Sequence, residues 1–337
     1  MTKSPRFTAH ELRDALLIHN PNAGGGAAKR RKLLDEARTI FGAGGIEVEL
    51  AETSRPGEAT EIARRAVKQR RHLVIACGGD GTLNEIVNGL AGPAGAEPSE
   101  HHRVPLALLP AGTANIFAKE LDIPWNIPGA ARRLVGGKVM DIALGLATPL
   151  HEPSRAKYFL SVAGAGPDGM IVYSIDLELK ARLGILAYWW QGAREVFRYE
   201  FPHFRVKIGG TTLDSSFVLV GRTKNYGGPF KITTLADLFE DQFEVMTLST
   251  QSGLRYLSYL PALWMDKLRG TEGVRFAKTD SLVCEPMDEN PVYAQVDGEP
   301  LGRLPVEFKI VPAALKVLVP QAISEKKPAD QEGIHTG

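Results

Sequence analysis

The stretch Gly78-Gly79-Asp80-Gly81-Thr82-Leu83-Asn84-Glu85 sets one carboxylate among three glycines, directly after the apolar run Leu73-Val74-Ile75-Ala76. Behind it, Leu83, Ile86, Val87 and Leu90 recur at helical spacing. Strand, glycine turn and helix start together favour phosphate. Glycine lets the backbone turn sharply and approach a ligand, and the N–H groups and dipole of a helix start attract an anion. A carboxylate beside phosphates is repulsive unless a cation bridges them, and Mg²⁺ binds through one or two carboxylates plus substrate phosphates. The chemistry this stretch suits is that of a Mg-nucleotide rather than a dinucleotide.

Two further strand–glycine–helix units share the same half of the chain. Asn20-Pro21-Asn22-Ala23-Gly24 leads from the run Asp14–His19 into a basic helix over about 27–41, and Pro110-Ala111-Gly112-Thr113-Ala114-Asn115 follows the run Val104–Leu109. In that helix Lys29, Arg30, Arg31 and Lys32 read as a solvated face. A second acidic turn, Val296-Asp297-Gly298-Glu299-Pro300, lies between two strand-like runs, as a tight turn should. Taken alone it reads as a hairpin with solvated acids. The match of residues 164–169 to a glycine-rich dinucleotide fingerprint is rejected, because no acidic residue in strand context follows at the required distance.

The elements that must position these residues fall into two textures. Through residue 135 strands and helices alternate, which predicts a doubly wound parallel α/β domain whose ligand loops gather at the C-terminal ends of the strands. From residue 138 short strand-like runs dominate and predict a β-sandwich-like or barrel-like domain. Helical stretches interrupt it over about 168–197 and 252–268. The expected organisation is a nucleotide domain over 12–137, a substrate domain over 138–311, a segment 312–320 returning to the first domain, and flexible tails at 1–11 and 321–337.

Composition excludes several classes. The chain has 337 residues with 40 Lys and Arg against 39 Asp and Glu, so a net charge of +1 gives no nucleic-acid footprint. Two cysteines, Cys77 and Cys284, make no disulfide framework and point to a reducing cytoplasm. No run is long enough to span a bilayer, so any membrane contact is peripheral. Two aromatic stretches could supply it: Tyr188, Trp189, Trp190, Phe197, Tyr199 and Phe201, and Leu257, Tyr259, Leu260, Leu263, Trp264 and Leu268 with Arg255, Lys267 and Arg269 at its ends. Their simpler reading is core. The histidines show no metal-ligand spacing.

The segment Gly78–Leu90 resembles the signature of the diacylglycerol kinase catalytic-domain family, which includes bacterial lipid kinases and sphingosine and ceramide kinases. Asn20–Gly24, Gly112-Thr113-x-Asn115 and Asp297-Gly298-Glu299 follow in the family's order, and the resemblance covers most of 16–320. It implies a Rossmann-like N-terminal domain of the NAD kinase and phosphofructokinase kind, a β-sandwich-like second domain, and an active site in the interdomain cleft. It implies nucleotide contacts from Asn20, Pro21, Asn22, Ala23, Gly24, Thr53, Gly78 to Glu85, Gly112, Thr113 and Asn115. ATP and Mg²⁺ are the implied cofactors, with Asp80 acting through the metal. Glu299 is the implied general base, with Asp297 orienting the loop or joining a network to the metal. In sphingosine kinases the base is attributed to the residue matching Asp80, and sequence leaves that choice open.

The family's structural Mg²⁺ loop is altered here. Phe239-Glu240-Asp241 stands where members carry Asp-Asp-Gly, so Glu240 with the backbone carbonyls of Asp237 and Gln242 is the expected, weakened metal set. The expected function is transfer of the ATP γ-phosphate to a lipid with a free hydroxyl, diacylglycerol-like or sphingoid, by a cytoplasmic protein peripherally associated with the inner membrane face, with a homodimer left open. The alternatives are a NAD kinase and a non-catalytic nucleotide- or lipid-binding regulator.

Overall fold

The computed structural model describes residues 12–21, 26–95, 104–174, 199–227, 230–250 and 252–326. The chain divides into two compact units, one of residues 1–142 and 313–337, the other of residues 143–312.

The first unit is built on strands that read as apolar runs because helices cover them. β1 (Asp14–His19), β2 (Glu47–Glu52), β3 (Leu73–Gly78) and β4 (Leu106–Pro110) are parallel in the order β2-β1-β3-β4. Every residue of β3 and β4 is buried, as expected of a parallel sheet covered on both faces. The helices are α1 (Ala27–Ala43), α2 (Glu58–Lys68), α3 (Asp80–Leu90), α4 (Ile116–Glu120) and α5 (Ile127–Leu134). α2 buries Ala59, Ile62, Ala63 and Ala66 at helical spacing. The strand order reverses at β1, so the crevice beyond the C-terminal ends of β1 and β3 is the switch point where such sheets bind ligands.

Two long strands, β5 (Lys138–Pro149) and β18 (Val306–Val319), pass from one unit to the other. β18 runs unbroken through Ala313, which sits in the left-handed region at φ 45°. Val317 pairs in parallel with Leu106, which adds β18 to the first unit's sheet.

In the second unit, β6 (Lys157–Phe159), β7 (Val162–Ala165), α6 (Pro167–Ser174), β8 (Phe204–Ile208), β9 (Thr211–Ser215), β10 (Phe217–Gly221), β11 (Asn225–Gly227), β12 (Phe230–Lys231) and β13 (Phe243–Leu248) are followed by α7 (Gly253–Ser258), α8 (Leu260–Trp264), β14 (Val274–Thr279), β15 (Ser281–Pro286), β16 (Tyr293–Val296) and β17 (Glu299–Arg303). An antiparallel sheet runs β14-β13-β10-β7-β16-β17, and a second antiparallel set runs β18-β15-β8-β9. One core joins inward residues of both, Ala163, Val218 and Val245 with Phe204, Leu282 and Phe308, which makes the unit a sandwich.

The expected single helix over 252–268 is two short helices joined at Tyr259. Pro261 has no N–H to continue the first. Tyr256, Tyr259, Leu263 and Leu268 pack on the outer face of the six-stranded sheet, whereas Leu254, Trp264 and Met265 are exposed. Of the other aromatic stretch, Tyr188, Trp189, Trp190 and Phe197 lie outside the described residues. Phe201 is buried against Tyr199 and Tyr256. The expected flexible tail from residue 321 begins instead with a helix, α9 (Gln321–Lys326), whose first turn closes on the Pro320 carbonyl through the N–H groups of Ile323 and Ser324. No helix among the described residues is long and apolar enough to cross a membrane.

Candidate active site

The phosphate-loop candidates converge at the C-terminal ends of β1, β3 and β4. His19 pairs with Cys77, and Gly78 with Pro110. Thr53 follows β2 and is buried, and its N–H donates to the His19 carbonyl at 3.0 Å. Asn20 and Pro21 continue β1, whereas Asn22, Ala23 and Gly24 lie outside the described residues.

The loops after β3 and β4 touch through backbone. A Cβ on Gly112 would sit 2.4 Å from the Gly79 Cα, and one on Gly79 would sit 3.3 Å from the Gly112 Cα. The Ala111 N–H donates to the Gly78 carbonyl at 2.9 Å. Asn115, in the left-handed region at φ 46°, closes its own turn: its Oδ1 accepts from the Gly112 N–H at 3.0 Å and its Nδ2 donates to the Gly112 carbonyl at 2.8 Å. Thr113 is exposed beside it.

Asp80 lies in the first turn of α3, since the helix begins right after Gly79, and no side chain caps that helix start. Its Oδ1 accepts from the Ile116 N–H at 2.9 Å, so one carboxylate reaches from the β3 loop to the start of α4. Gly81 and Thr82 share that turn, and Leu83 closes it on the Gly79 carbonyl. Further along α3, Asn84 is buried and accepts from the Asn88 Nδ2. Glu85 turns away to α2, accepting from the N–H groups of Gly57 and Ala59 at 2.9 and 3.3 Å. Its position is that of a helix cap.

The hydrogen bond between Asp80 and Ile116 gives a test. Asp80→Ala is expected to lose about 1 kcal/mol of stability with the capping hydrogen bond. Asp80→Asn, which keeps an acceptor for Ile116, is expected to melt like the wild type. Denaturant unfolding of both variants checks this, and an equal loss in the two would show that the charge rather than the hydrogen bond stabilises the loop.

Arg30 departs from the solvated face expected of its run. Lys29, Arg31 and Lys32 are exposed, whereas Arg30 is buried and its Nη1 donates to the Asn20 carbonyl at 3.3 Å. It sets a guanidinium behind the Asn20 turn. Helical phase decides which member of a basic run points inward, and composition hides it. His19 is also buried there, 3.5 Å from Glu52. Burial holds its imidazole below the ordinary value, partly countered by Glu52. Burial pushes the Cys77 thiol up to about 12, which leaves it a packing residue.

In the second unit, Asp297 and Gly298 form a two-residue turn between β16 and β17, with φ of 46° and 78°. Two central residues in the left-handed region make the hairpin turn that Asp-Gly favours. The Asp297 carboxylate accepts from the N–H groups of Leu160, Ser161 and Val162 at 2.8 to 3.0 Å. Three backbone donors make Asp297 an anchor, and they fix Glu299 at the start of β17.

A second tether was missed in the sequence. The Gly298 N–H donates to Gln295 Oε1 at 2.9 Å, Gln295 Nε2 donates to Asp168 Oδ2 at 2.6 Å, and the Tyr226 hydroxyl donates to Asp168 Oδ1 at 2.5 Å. Burial pushes the Asp168 carboxyl above its ordinary value, and the two hydrogen bonds pull the other way. Asp168 falls within the rejected dinucleotide fingerprint. The glycines there serve packing: a Cβ on Gly169 would lie 2.0 Å from the Tyr293 carbonyl oxygen.

The expected structural metal set does not fit. The carbonyls of Asp237 and Gln242 accept from Arg222 Nη1 at 3.4 and 2.9 Å, and the Glu240 carbonyl accepts from the same nitrogen at 2.6 Å. The Glu240 carboxylate instead pairs with Lys278 at 2.6 Å. Among the described residues no group of three or more His, Cys, Asp or Glu is placed to hold a metal.

Two family models match, the diacylglycerol kinase catalytic domain over residues 14–147 and the YegS C-terminal NAD kinase beta sandwich-like domain over residues 161–319. Over residues 14–147 the chain resembles the diacylglycerol kinase catalytic-domain family. Its relatives include proteins named diacylglycerol kinase from Bacillus subtilis (strain 168), 28% identical over 94% of this chain and 99% of the relative, and from Staphylococcus aureus (strain JH9), 27% identical over 92% and 93%. A solved structure described as a diacylglycerol kinase from Bacillus anthracis str. Sterne superposes with a TM-score of 0.70 at 24% identity, covering 92% of this chain and 98% of that one. That likeness shows the fold, the parallel α/β unit with its antiparallel sandwich. The curated proteins it resembles are named as kinases.

Proposed function

We propose that this protein is an ATP- and Mg-dependent kinase that phosphorylates the free hydroxyl of a diacylglycerol-like lipid. The observation that carries the reading is the backbone contact of the two glycine turns at Gly79 and Gly112 beside a single carboxylate, Asp80. Such a surface suits the phosphates of a nucleotide. The names of the relatives support the acceptor class.

Phosphoryl transfer asks the protein for positioning and charge stabilisation. Thr53, Gly78, Gly79, Gly112, Thr113 and Asn115 would hold the nucleotide, with Arg30 fixing the Asn20 turn. Mg²⁺ held through Asp80 would neutralise charge on the phosphate oxygens. Glu299 would accept the hydroxyl proton as that oxygen bonds to the γ-phosphorus and the bond to the leaving ADP breaks. Asp297, Gln295 and Asp168 act on Glu299 by fixing its turn. Leu254, Trp264 and Met265, exposed near Arg255 and Lys267, would meet a membrane surface from which the lipid is drawn.

Transfer of labelled γ-phosphate from Mg-ATP to a panel of diacylglycerol, sphingoid and ceramide acceptors in mixed micelles tests the reading. Labelled diacylglycerol is the expected product. Label on NAD and on no lipid would move the assignment to a NAD kinase, and nucleotide binding without any transfer would move it to a regulator.

A further inference from the structure

Arg222 is fully buried, yet its guanidinium is surrounded by backbone oxygen. Nη1 donates to the carbonyls of Glu240, Gln242 and Asp237, and Nη2 to those of Leu238 and Ala143 at 2.6 and 3.1 Å. Five carbonyl oxygens converging on one buried centre is the chemistry of a cation site. The bonds to Leu238 and Ala143 are buried, and those oxygens have no hydrogen of their own to share, so they need a positive or donating centre. Around this centre stand the carboxylates of Asp237, Glu240 and Asp241, which favour the charged guanidinium against the cost of burial. That balance brings Arg222 down to about 10, so it keeps its charge at neutral pH.

We propose that Arg222 is a built-in replacement for a structural metal ion: its guanidinium orders the 237–242 loop and ties it to β5, so the second unit needs no bound divalent cation. The fork geometry explains the choice of residue. A planar guanidinium serves several oxygens from two nitrogens at once, which a lysine point charge does not. A Mg²⁺ ion at the same place would need near-octahedral oxygen ligands at about 2.0–2.1 Å, and the oxygens are held by a fixed cation instead. The Glu240 carboxylate, paired with Lys278, is spent outside the cage. Loop order is thereby independent of the free metal concentration.

The full-length chain tests this without reference to activity. Its metal content is measured after dialysis against EDTA, and its thermal unfolding is followed with EDTA and with added MgCl₂, in the absence of nucleotide. A metal that binds only the folded state raises the melting temperature with its concentration, so no shift between the two conditions is expected, and no stoichiometric metal. Arg222→Met, similar in length but uncharged, is expected to melt about 10 °C lower, because removing one partner of a buried charged cluster is strongly destabilising. Should that variant fail to fold, the wild-type comparison still decides. A wild type that loses stability in EDTA, or an Arg222→Met variant as stable as the wild type, would overturn the proposal.

Discussion

Glu299→Gln is expected to reduce phosphoryl transfer by about 10²- to 10⁴-fold, the contribution typical of a positioned general base, with nucleotide binding unchanged. Gln keeps the size of the side chain and one acceptor oxygen and removes its ability to take a proton. The surrounding turn gives no reason for the fold to suffer. Glu299 pairs with Val296 across the hairpin, and the turn is held by Asp297 on three N–H groups and by Gln295 on the fourth. Single-turnover transfer, together with a nucleotide titration, separates chemistry from binding. The companion variant is Asp80→Asn. If it loses transfer while Glu299→Gln keeps it, the base is Asp80, as attributed in sphingosine kinases, and Glu299 returns to being a hairpin residue.

Gly112→Ala is expected to cost about 1–3 kcal/mol of stability, the range for forcing extra volume into a packed site, and to weaken Mg-ATP binding at least as much. The new methyl group would meet the Gly79 Cα at 2.4 Å and the Asn115 Oδ1 at 3.0 Å. Neither neighbour yields cheaply. Gly79 is backbone between β3 and α3, and Asn115 is clasped to both polar groups of Gly112. The two loops must separate, and separation moves the N–H groups that would hold a phosphate in the proposed site. Gly42→Ala is the control. That glycine lies near the end of α1 with nothing within 4 Å of its would-be Cβ, and replacing it should stabilise the helix by up to about 1 kcal/mol. Calorimetry of both variants with and without nucleotide checks the contrast, and equal behaviour would remove the special status of the Gly79–Gly112 contact.

Much of the fold is local enough to be read along the chain. β1, β8, β10 and β13 occupy the runs that their apolar residues mark, because a strand covered on one or both faces must be apolar there. The strands that escaped notice are polar or short. β9, Thr-Thr-Leu-Asp-Ser, is an exposed edge, and β14, also an edge, has no fully buried residue and exposes Arg275 and Lys278. Neither buries enough to show an apolar signature. The break at Tyr259 was legible in Pro261, whose missing N–H outweighs the helical spacing of the leucines around it.

The candidate site divides along the same line. Glycine turns after buried strands carry their own signal, because only glycine permits those backbone approaches, and Asp-Gly at 297–298 carries the signal of a two-residue hairpin. The partners of the polar groups carry none. Asp80 meets Ile116, Glu85 caps α2, Asp297 meets Leu160 to Val162, and Asp168 meets Gln295, across separations of 36, 28, 137 and 127 residues. A hydrogen bond is satisfied by geometry, and geometry between distant residues exists only after the sheets have paired. The metal loop shows the difference most sharply. Sequence determined that its ligand set was altered, since Glu240 and Asp241 stand in the chain itself. That Arg222, about fifteen to twenty residues away, fills the cage was decided by tertiary structure, because these five carbonyls meet one guanidinium only when β10 and the loop fold against β5.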